Sequence, residues 1–139
     1  MADTKLPAWY PALSGTGLAG ALGIDLVELT TERVVATMPV DDRTRQPFGL
    51  LHGGASIALA ETVASFGAVM RIDHERFAAV GQEINGNHLR AKTHGVVTAT
   101  GVPVHVGRTS QVWSIEIADE EGRLVCISRC TMAIVERRA

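Results

Sequence analysis

The stretch of sequence that decides the fold runs from residue 52 to residue 70 and reads His52-Gly53-Gly54-Ala55-Ser56-Ile57-Ala58-Leu59-Ala60-Glu61-Thr62-Val63-Ala64-Ser65-Phe66-Gly67-Ala68-Val69-Met70. Its nearly continuous small and apolar side chains predict a helix over residues 53–70 that is surrounded by protein on most sides. Glu61 is the only acidic side chain in it. Because burying an unpaired carboxylate is costly, a glutamate kept in such a helix is a candidate functional residue.

Strands are predicted on both sides of this helix. Residues 24–30 and 33–39 precede it, followed by a loop over 41–51 that contains the breakers Pro47 and Gly49. After the helix, residues 77–89, 96–104, 110–119 and 124–135 have the composition of long strands separated by short turns. Successive strands joined by short turns are expected to pair antiparallel.

The simplest arrangement that buries the helix is an α+β domain in which one antiparallel sheet of five or six strands wraps around it. We expect a single domain over residues 1–139, with an N-terminal extension at 1–19 that contains short helical turns. Because one helix covers only one face of such a sheet, the exposed edges and faces favour pairing with a second copy of the chain.

Composition and charge exclude several classes of protein. Of the 139 residues, 46% are hydrophobic and 20% charged, with a net charge of -2, so neither a nucleic-acid nor a membrane partner is expected. No apolar run approaches the roughly 20 residues that span a bilayer, and residues 1–5 lack a signal-peptide pattern. Cys126 and Cys130 would lie roughly 13 Å apart on a strand, too far for a disulfide. We therefore expect reduced cysteines, a cytoplasmic protein and no metal site.

The motifs around the helix resemble those of a known family. They are Gln46-Pro47-Phe48-Gly49-Leu50-Leu51-His52-Gly53-Gly54-Ala55-Ser56, Leu59-Ala60-Glu61-Thr62-Val63-Ala64-Ser65, Glu83-Ile84-Asn85-Gly86-Asn87-His88, Gly107-Arg108-Thr109 and Gln111-Val112-Trp113. From about residue 20 to residue 135 the chain resembles the hotdog-fold acyl-CoA thioesterases. The matching branch carries a glutamate on the central helix and includes the phenylacetate-pathway, hydroxybenzoyl-CoA and dihydroxynaphthoyl-CoA thioesterases.

This resemblance implies a thioester hydrolase that converts an aryl or hydroxyaryl acyl-CoA to the free acid and CoA. The backbone amide of Gly53, at the positive end of the helix, would polarise the thioester carbonyl. Glu61 would be either the nucleophile or the general base, and the sequence does not choose between them. The alternative for Glu61 is a structural carboxylate bound to backbone or to an arginine.

The two principal residues are too far apart to act together within one chain. Glu61 lies roughly 12 Å along the helix from its start, at about 1.5 Å per residue. The resemblance implies that the site forms across a dimer interface, so that Gly53 and Glu61 come from different subunits. The expected partner is thus a second copy, in a homodimer or in a homotetramer built as a dimer of dimers.

Each of the further polar residues has more than one possible role. By resemblance, Gln46 and His52 hold the carbonyl and the attacking water or order the loop, although His52 could instead cap the helix. Ser65 follows Glu61 by one helical turn and could bond to substrate, to Glu61 or back to a backbone carbonyl.

Coenzyme A carries phosphates that need cations or free amides. The resemblance implies that His88, Arg90, Gly107, Arg108 and Thr109 contact the substrate, and Lys92 is a further cation candidate. Each of the basic residues could instead be an ordinary solvated charge, and His88 could be a strand-end histidine bonded to backbone. No cofactor is expected, because CoA is part of the substrate.

Two other functions remain open at this point. The first is a non-catalytic module on the same fold that binds or senses acyl-CoA, against which the presence of Glu61 argues. The second is a hotdog hydratase, whose Asp and His motif is not found in the sequence.

Overall fold

The computed structural model describes residues 5–138, so residues 1–4 of the predicted N-terminal extension lie outside it. After a 3-10 helix at Tyr10–Ala12, its elements are α1 (Gly17–Ala21), β1 (Asp25–Leu29), β2 (Val34–Pro39), α2 (Gly53–Val69), β3 (Phe77–His88), β4 (Val96–Val106), β5 (Ser110–Ala118) and β6 (Leu124–Glu136). The long helix and the six strands predicted from the sequence are all present, with bounds that differ by one or two residues.

The six strands form one antiparallel sheet in the order β1-β2-β4-β5-β6-β3. The architecture is therefore the predicted α+β arrangement of one sheet around one long helix, with six strands. Strands β4, β5 and β6 pair in succession, as expected for strands joined by short turns.

The expectation that successive strands pair is wrong for β3 and β4. Strand β3 lies at the far edge of the sheet beside β6, with Phe77 opposite Glu136 and His88 opposite Cys126. Residues 89–95 carry the chain across the end of the sheet, so that the Val40 N–H donates to the Gly95 carbonyl and β4 starts beside β2. The chain leaves the sheet after β2, passes through α2 and returns at β3 on the far edge, so it must cross the end of the sheet before β4 can pair with β2.

One face of α2 packs into the concave side of the sheet. Its buried residues are Ala55, Ser56, Leu59, Ala60, Val63, Ala64, Gly67 and Ala68. The Trp113 ring of β5 fills the space beside Gly67, where a Cβ would lie only 2.5 Å from the indole. Trp113 Nε1 donates to Gln111 Oε1 at 2.9 Å, and Gln111 Nε2 donates to the Ala68 carbonyl at 3.4 Å, so the buried polar atoms have partners.

The opposite face of α2 is only partly covered, which corrects the expectation of a helix surrounded on most sides. Its half-buried residues are Ile57, Ala58, Glu61, Thr62, Ser65, Phe66 and Val69. Part of the cover comes from the N-terminal segment, where Trp9 stacks on Phe66 and Tyr10 meets the same ring edge-on, and part comes from β3, which approaches Ile57 and Glu61. A single sheet can curve around only one side of a helix, so the other side stays open in one chain.

The tight packing of Trp113 against α2 generates a stability prediction. Trp113→Ala should lower the free energy of unfolding by about 3–5 kcal/mol, because it leaves a cavity in the core. Val27→Ala on β1, where the side chain is 52% exposed, is the control and should change it by less than about 0.5 kcal/mol. Urea denaturation at one fixed protein concentration measures both. Equal effects of the two substitutions would show that Trp113 does not organise the core.

Candidate active site

The loop before α2 is fastened to the sheet at several points. Thr44 Oγ1 donates to the Pro39 carbonyl at 2.7 Å, and the His52 N–H donates to the Thr44 carbonyl at 2.8 Å. The Leu51 N–H donates to the Lys92 carbonyl at 2.8 Å. These bonds fix where the helix begins relative to β2 and to the segment that follows β3.

The first turn of α2 leaves one backbone amide free. His52 is the N-cap residue, and its Nδ1 accepts the Gly54 N–H at 2.7 Å. The N–H groups of Ala55 and Ser56 both donate to the His52 carbonyl. Within residues 5–138 the Gly53 N–H has no acceptor. The capping role left open for His52 is therefore present, and Gly53 is the amide available at the positive end of the helix.

A cleft of about 340 Å³ opens at this end of the helix, and we call it the glycine cleft. Its lining residues are Gln46, Leu50, Leu51, Gly53, Ser56, His88, Leu89, Arg90, Ala91 and Val125. The His88 imidazole lies directly over Gly53, since a Cβ there would be 2.7 Å from Nε2. The fold thus brings together four of the predicted site residues from three separate segments of the chain.

The Gln46 side chain is oriented by its own loop. Its Oε1 accepts the Phe48 N–H at 2.5 Å, which leaves the amide NH₂ as the free end. Gln46 lines the glycine cleft, so it can offer two N–H donors there. Phe48 points away from the chain, with 90% of its surface exposed.

Glu61 lies in a different cleft, on the open face of α2. This glutamate cleft has a volume of about 410 Å³ and is lined by Thr16, Leu18, Ala19, Ala58, Glu61, Thr62, Ser65 and Phe66. Every ion pair found over residues 5–138 uses another carboxylate, so no arginine holds Glu61 in a structural role. Thr62 bonds back to the Ala58 carbonyl at 2.6 Å, whereas Ser65 shares the cleft with Glu61.

The two clefts have no lining residue in common. One chain therefore does not bring Glu61 and Ser65 to Gly53, Gln46 and His88, as the spacing along the helix indicates. A reaction that used both groups would need a second α2.

The basic residues proposed for CoA differ in their surroundings. The Lys92 ammonium lies 2.6 Å from Glu120 Oε1, and this hydrogen bond lowers the pKa of the Glu120 carboxyl to about 2. Since its side chain is only 12% exposed, Lys92 is engaged in a structural pair. Arg90 is exposed at the rim of the glycine cleft.

The Gly107-Arg108-Thr109 turn lies outside both clefts. The Gly107 N–H donates to the Ser110 carbonyl at 2.8 Å, and the Thr109 carbonyl accepts the Ile134 N–H at 2.9 Å. This bonding fixes the turn between β4 and β5 against the end of β6. Arg108 and Thr109 are exposed.

Sequence reasoning missed Gly81, which lies beside Glu61. A Cβ built on Gly81 would overlap Glu61 Oε1. The signal that could have found it is a glycine inside a strand pattern, which often marks a close approach by another group.

Cys130 also lies near Glu61. Burial raises the pKa of its thiol to about 11, and the charges of Glu61 and Glu83 add to the shift.

Residues 5–138 contain no cluster of three or more His, Cys, Asp or Glu side chains that could hold a metal ion. In the same residues no helix is long and apolar enough to cross a membrane.

Comparison with known proteins identifies the family. The thioesterase superfamily model matches residues 48–126. ComA2 of Bacillus subtilis is 60% identical over 120 residues, which cover 86% of this chain and 95% of that protein. The 1,4-dihydroxy-2-naphthoyl-CoA hydrolase of Listeria monocytogenes is 45% identical over 88% of this chain and 98% of that protein.

A solved structure agrees with these sequence relatives. A crystal structure of a mutant of the thioesterase PA1618 from Pseudomonas aeruginosa superposes with a TM-score of 0.88, at 42% identity and with 91% of each chain covered. The chain therefore belongs to the thioesterase superfamily and is a thioester hydrolase with the hotdog fold. The resemblance given by the sequence motifs is confirmed.

The capping bond of His52 generates a second prediction. His52→Ala removes the acceptor of the Gly54 N–H and should lower the free energy of unfolding by about 1 kcal/mol. His52→Asn keeps a side-chain acceptor at the N-cap position and should retain most of that stability. Urea denaturation of the two variants measures the difference. If both variants lost the same stability, the cap would contribute nothing.

Proposed function

We propose that this thioester hydrolase acts on aryl or hydroxyaryl esters of coenzyme A and releases a carboxylic acid and free CoA. The observation that carries the proposal is the arrangement of α2, which presents a free Gly53 amide in one cleft and an unpaired Glu61 carboxylate in the other. The Listeria relative, named for hydrolysis of 1,4-dihydroxy-2-naphthoyl-CoA, supports an aryl ester as the substrate.

In this proposal the glycine cleft holds the thioester carbonyl. The carbonyl oxygen accepts the Gly53 N–H and a second hydrogen bond from the Gln46 NH₂ group. Both donors aim at the oxygen on which negative charge develops during attack, and the positive end of α2 adds to their effect. The absence of a Gly53 side chain lets the thioester reach the backbone.

Glu61 supplies the attacking group. It either adds to the carbonyl carbon and forms a mixed anhydride that water then hydrolyses, or removes a proton from the attacking water. Ser65, in the same cleft, is within one helical turn and orients the carboxylate or the substrate. His88, above Gly53, contacts the acyl part, while Arg90 and the turn at Gly107, Arg108 and Thr109 take the CoA phosphates and pantetheine arm.

The active assembly in this proposal is a homodimer, which can pair again into a homotetramer. Strand β3 is a long edge strand, and such an edge is a template for pairing with another chain. Val80 on that strand is 46% exposed, and the partly open face of α2 lies beside the strand where Glu61 meets Gly81, so further apolar surface is available to a partner. A two-fold axis beside β3 would face the glutamate cleft of one subunit toward the glycine cleft of the other.

The remaining parts of the proposal concern cofactor and location. The scheme needs no cofactor or metal, because the CoA enters as part of the substrate. Both cysteines are free and buried, which supports a reducing compartment and hence the cytoplasm.

The carboxylate is tested by Glu61→Gln, which removes the charge and keeps the shape. Turnover should fall by several orders of magnitude, because the nucleophile or base is lost. Gln46→Ala should reduce kcat by about 10²–10³-fold, the usual effect of losing one donor to an oxyanion. The assay follows free thiol with a panel of aryl and aliphatic acyl-CoAs.

Glu116→Gln is the matched control, since Glu116 is an exposed glutamate of β5 outside both clefts. Its activity should equal that of the wild type. A wild-type protein that binds acyl-CoA and releases no thiol would support the non-catalytic binding module. Full activity of Glu61→Gln would assign catalysis to another residue.

The shared site is tested by mixing two inactive variants. Glu61→Gln retains the glycine cleft, and Gly53→Ala retains the carboxylate but places a methyl group against His88 Nε2. Refolded together in equal amounts, they should recover about a quarter of wild-type activity, because half of the dimers are mixed and each has one intact site. Activity of each variant alone is the baseline. If light scattering shows that the refolded protein is dimeric and mixing recovers no activity, the Gly53 amide and the Glu61 carboxylate would act within one subunit.

A further inference from the structure

The inner face of β3 carries glycine at the point nearest to Glu61. Gly81 pairs with Met132, and Glu83 pairs with Thr131, so Gln82 forms a bulge between them. Gly81 is therefore the last residue of β3 before the bulge. Bulges commonly re-aim the residues of a strand beside a functional site.

The end of the Glu61 side chain occupies the space that a side chain on Gly81 would need. A Cβ built on Gly81 would overlap Glu61 Oε1 and lie 3.2 Å from Cδ and 3.8 Å from Cγ. All three of its nearest neighbours are atoms of this one side chain. Any residue other than glycine would thus displace the carboxylate from its observed position.

The backbone conformation does not account for this glycine. The glycines with positive φ are Gly15, Gly17, Gly23, Gly49, Gly95 and Gly122. Gly81 is not among them, so an L-residue could adopt its strand conformation. What excludes a side chain is the carboxylate alone.

A second glycine on the same strand gives the contrast. A Cβ on Gly86 would lie 2.6 Å from Ile57 Cδ1 and 3.4 Å from Cys126 Sγ, so that glycine accommodates apolar packing. Ile57 precedes Glu61 by one turn on the same face of α2. The strand therefore has one glycine that makes room for an apolar side chain and another that makes room for a carboxylate.

We propose that Gly81 is a positioning residue for the Glu61 carboxylate. The missing side chain lets Oε1 rest against the β3 backbone, which fixes the direction in which the carboxylate meets the thioester. This inference rests on the proposed function, in which Glu61 is the attacking group. A displacement of a reacting group by about 1 Å can reduce the rate about 10²-fold.

A substitution at Gly81 should have little effect on folding, and this distinguishes a positioning role from a structural role. The atoms that a methyl group would displace are the end of a flexible side chain on the partly open face of α2. Rotation of Glu61 relieves the overlap without moving the helix or the strand. Gly81→Ala should therefore lower kcat about 10²-fold, with KM and the melting temperature little changed.

The matched control is Gly86→Ala, which places the same methyl group on the same face of β3. It meets Ile57 on one side and the buried Cys126 thiol on the other, so it should lower the melting temperature and leave kcat within a few-fold of the wild type. The reversed pattern, in which Gly81→Ala loses stability and keeps kcat, would overturn the inference.

A double substitution tests whether the effect passes through the carboxylate. Glu61→Asp shortens the side chain by one methylene and withdraws it from Gly81. In that background, adding Gly81→Ala should change kcat by less than about 3-fold, although it costs about 10²-fold with Glu61 present. Equal losses in the two backgrounds would mean that Gly81 acts independently of Glu61.

The failure of this inference can be told apart from failure of the proposed function. If Glu61→Gln abolishes thiol release and Gly81→Ala is as active as the wild type, only the role of Gly81 is wrong. If Glu61→Gln remains fully active, the proposed catalytic role of Glu61 is wrong, and the inference about Gly81 falls with it.

Discussion

The close packing of α2 against the concave face of the sheet is the contact on which the rest of the structure depends. Alanine and glycine on the buried face of the helix let the sheet approach, and the Trp113 ring occupies the space that a side chain at Gly67 would take. A closely packed protein interior tolerates few changes in side-chain volume. Because the sheet uses only one side of the helix, the other side remains available for Glu61.

A rigid helix that carries both of the proposed catalytic groups also sets the geometry of the proposed site. The Gly53 amide lies at its start and the Glu61 carboxylate two turns later, in separate clefts. No side-chain rotation within one chain can close that distance. A symmetric pair of helices can, since each then offers its amide to the other's carboxylate. In such an assembly dimerisation is part of catalysis and also covers the open faces of the helices.

The hydrogen-bond and ion-pair partners of each polar residue decide what that residue is free to do. His52 is engaged as a helix cap through Nδ1, and Lys92 is held by Glu120. Gln46, by contrast, has its oxygen fixed by the loop and its NH₂ group left free. The sequence presents all three side chains as candidates for contact with the substrate. Their different surroundings divide them into those that build the site and those that can meet a ligand.

The sequence by itself determined the helix, the strands and the family, because these follow from local patterns. The apolar run over 52–70 predicts the helix, the isolated Glu61 marks a candidate functional face, and the motif from Gln46 to Gly54 indicates the family. The tertiary structure decided what depends on contacts between distant residues. It placed β3 beside β6, not β4, and Gly81 against Glu61. The physical reason is that the path of the chain around α2 sets the strand order and the close approach of Gly81 to Glu61. Local periodicity in the sequence contains no information about that path.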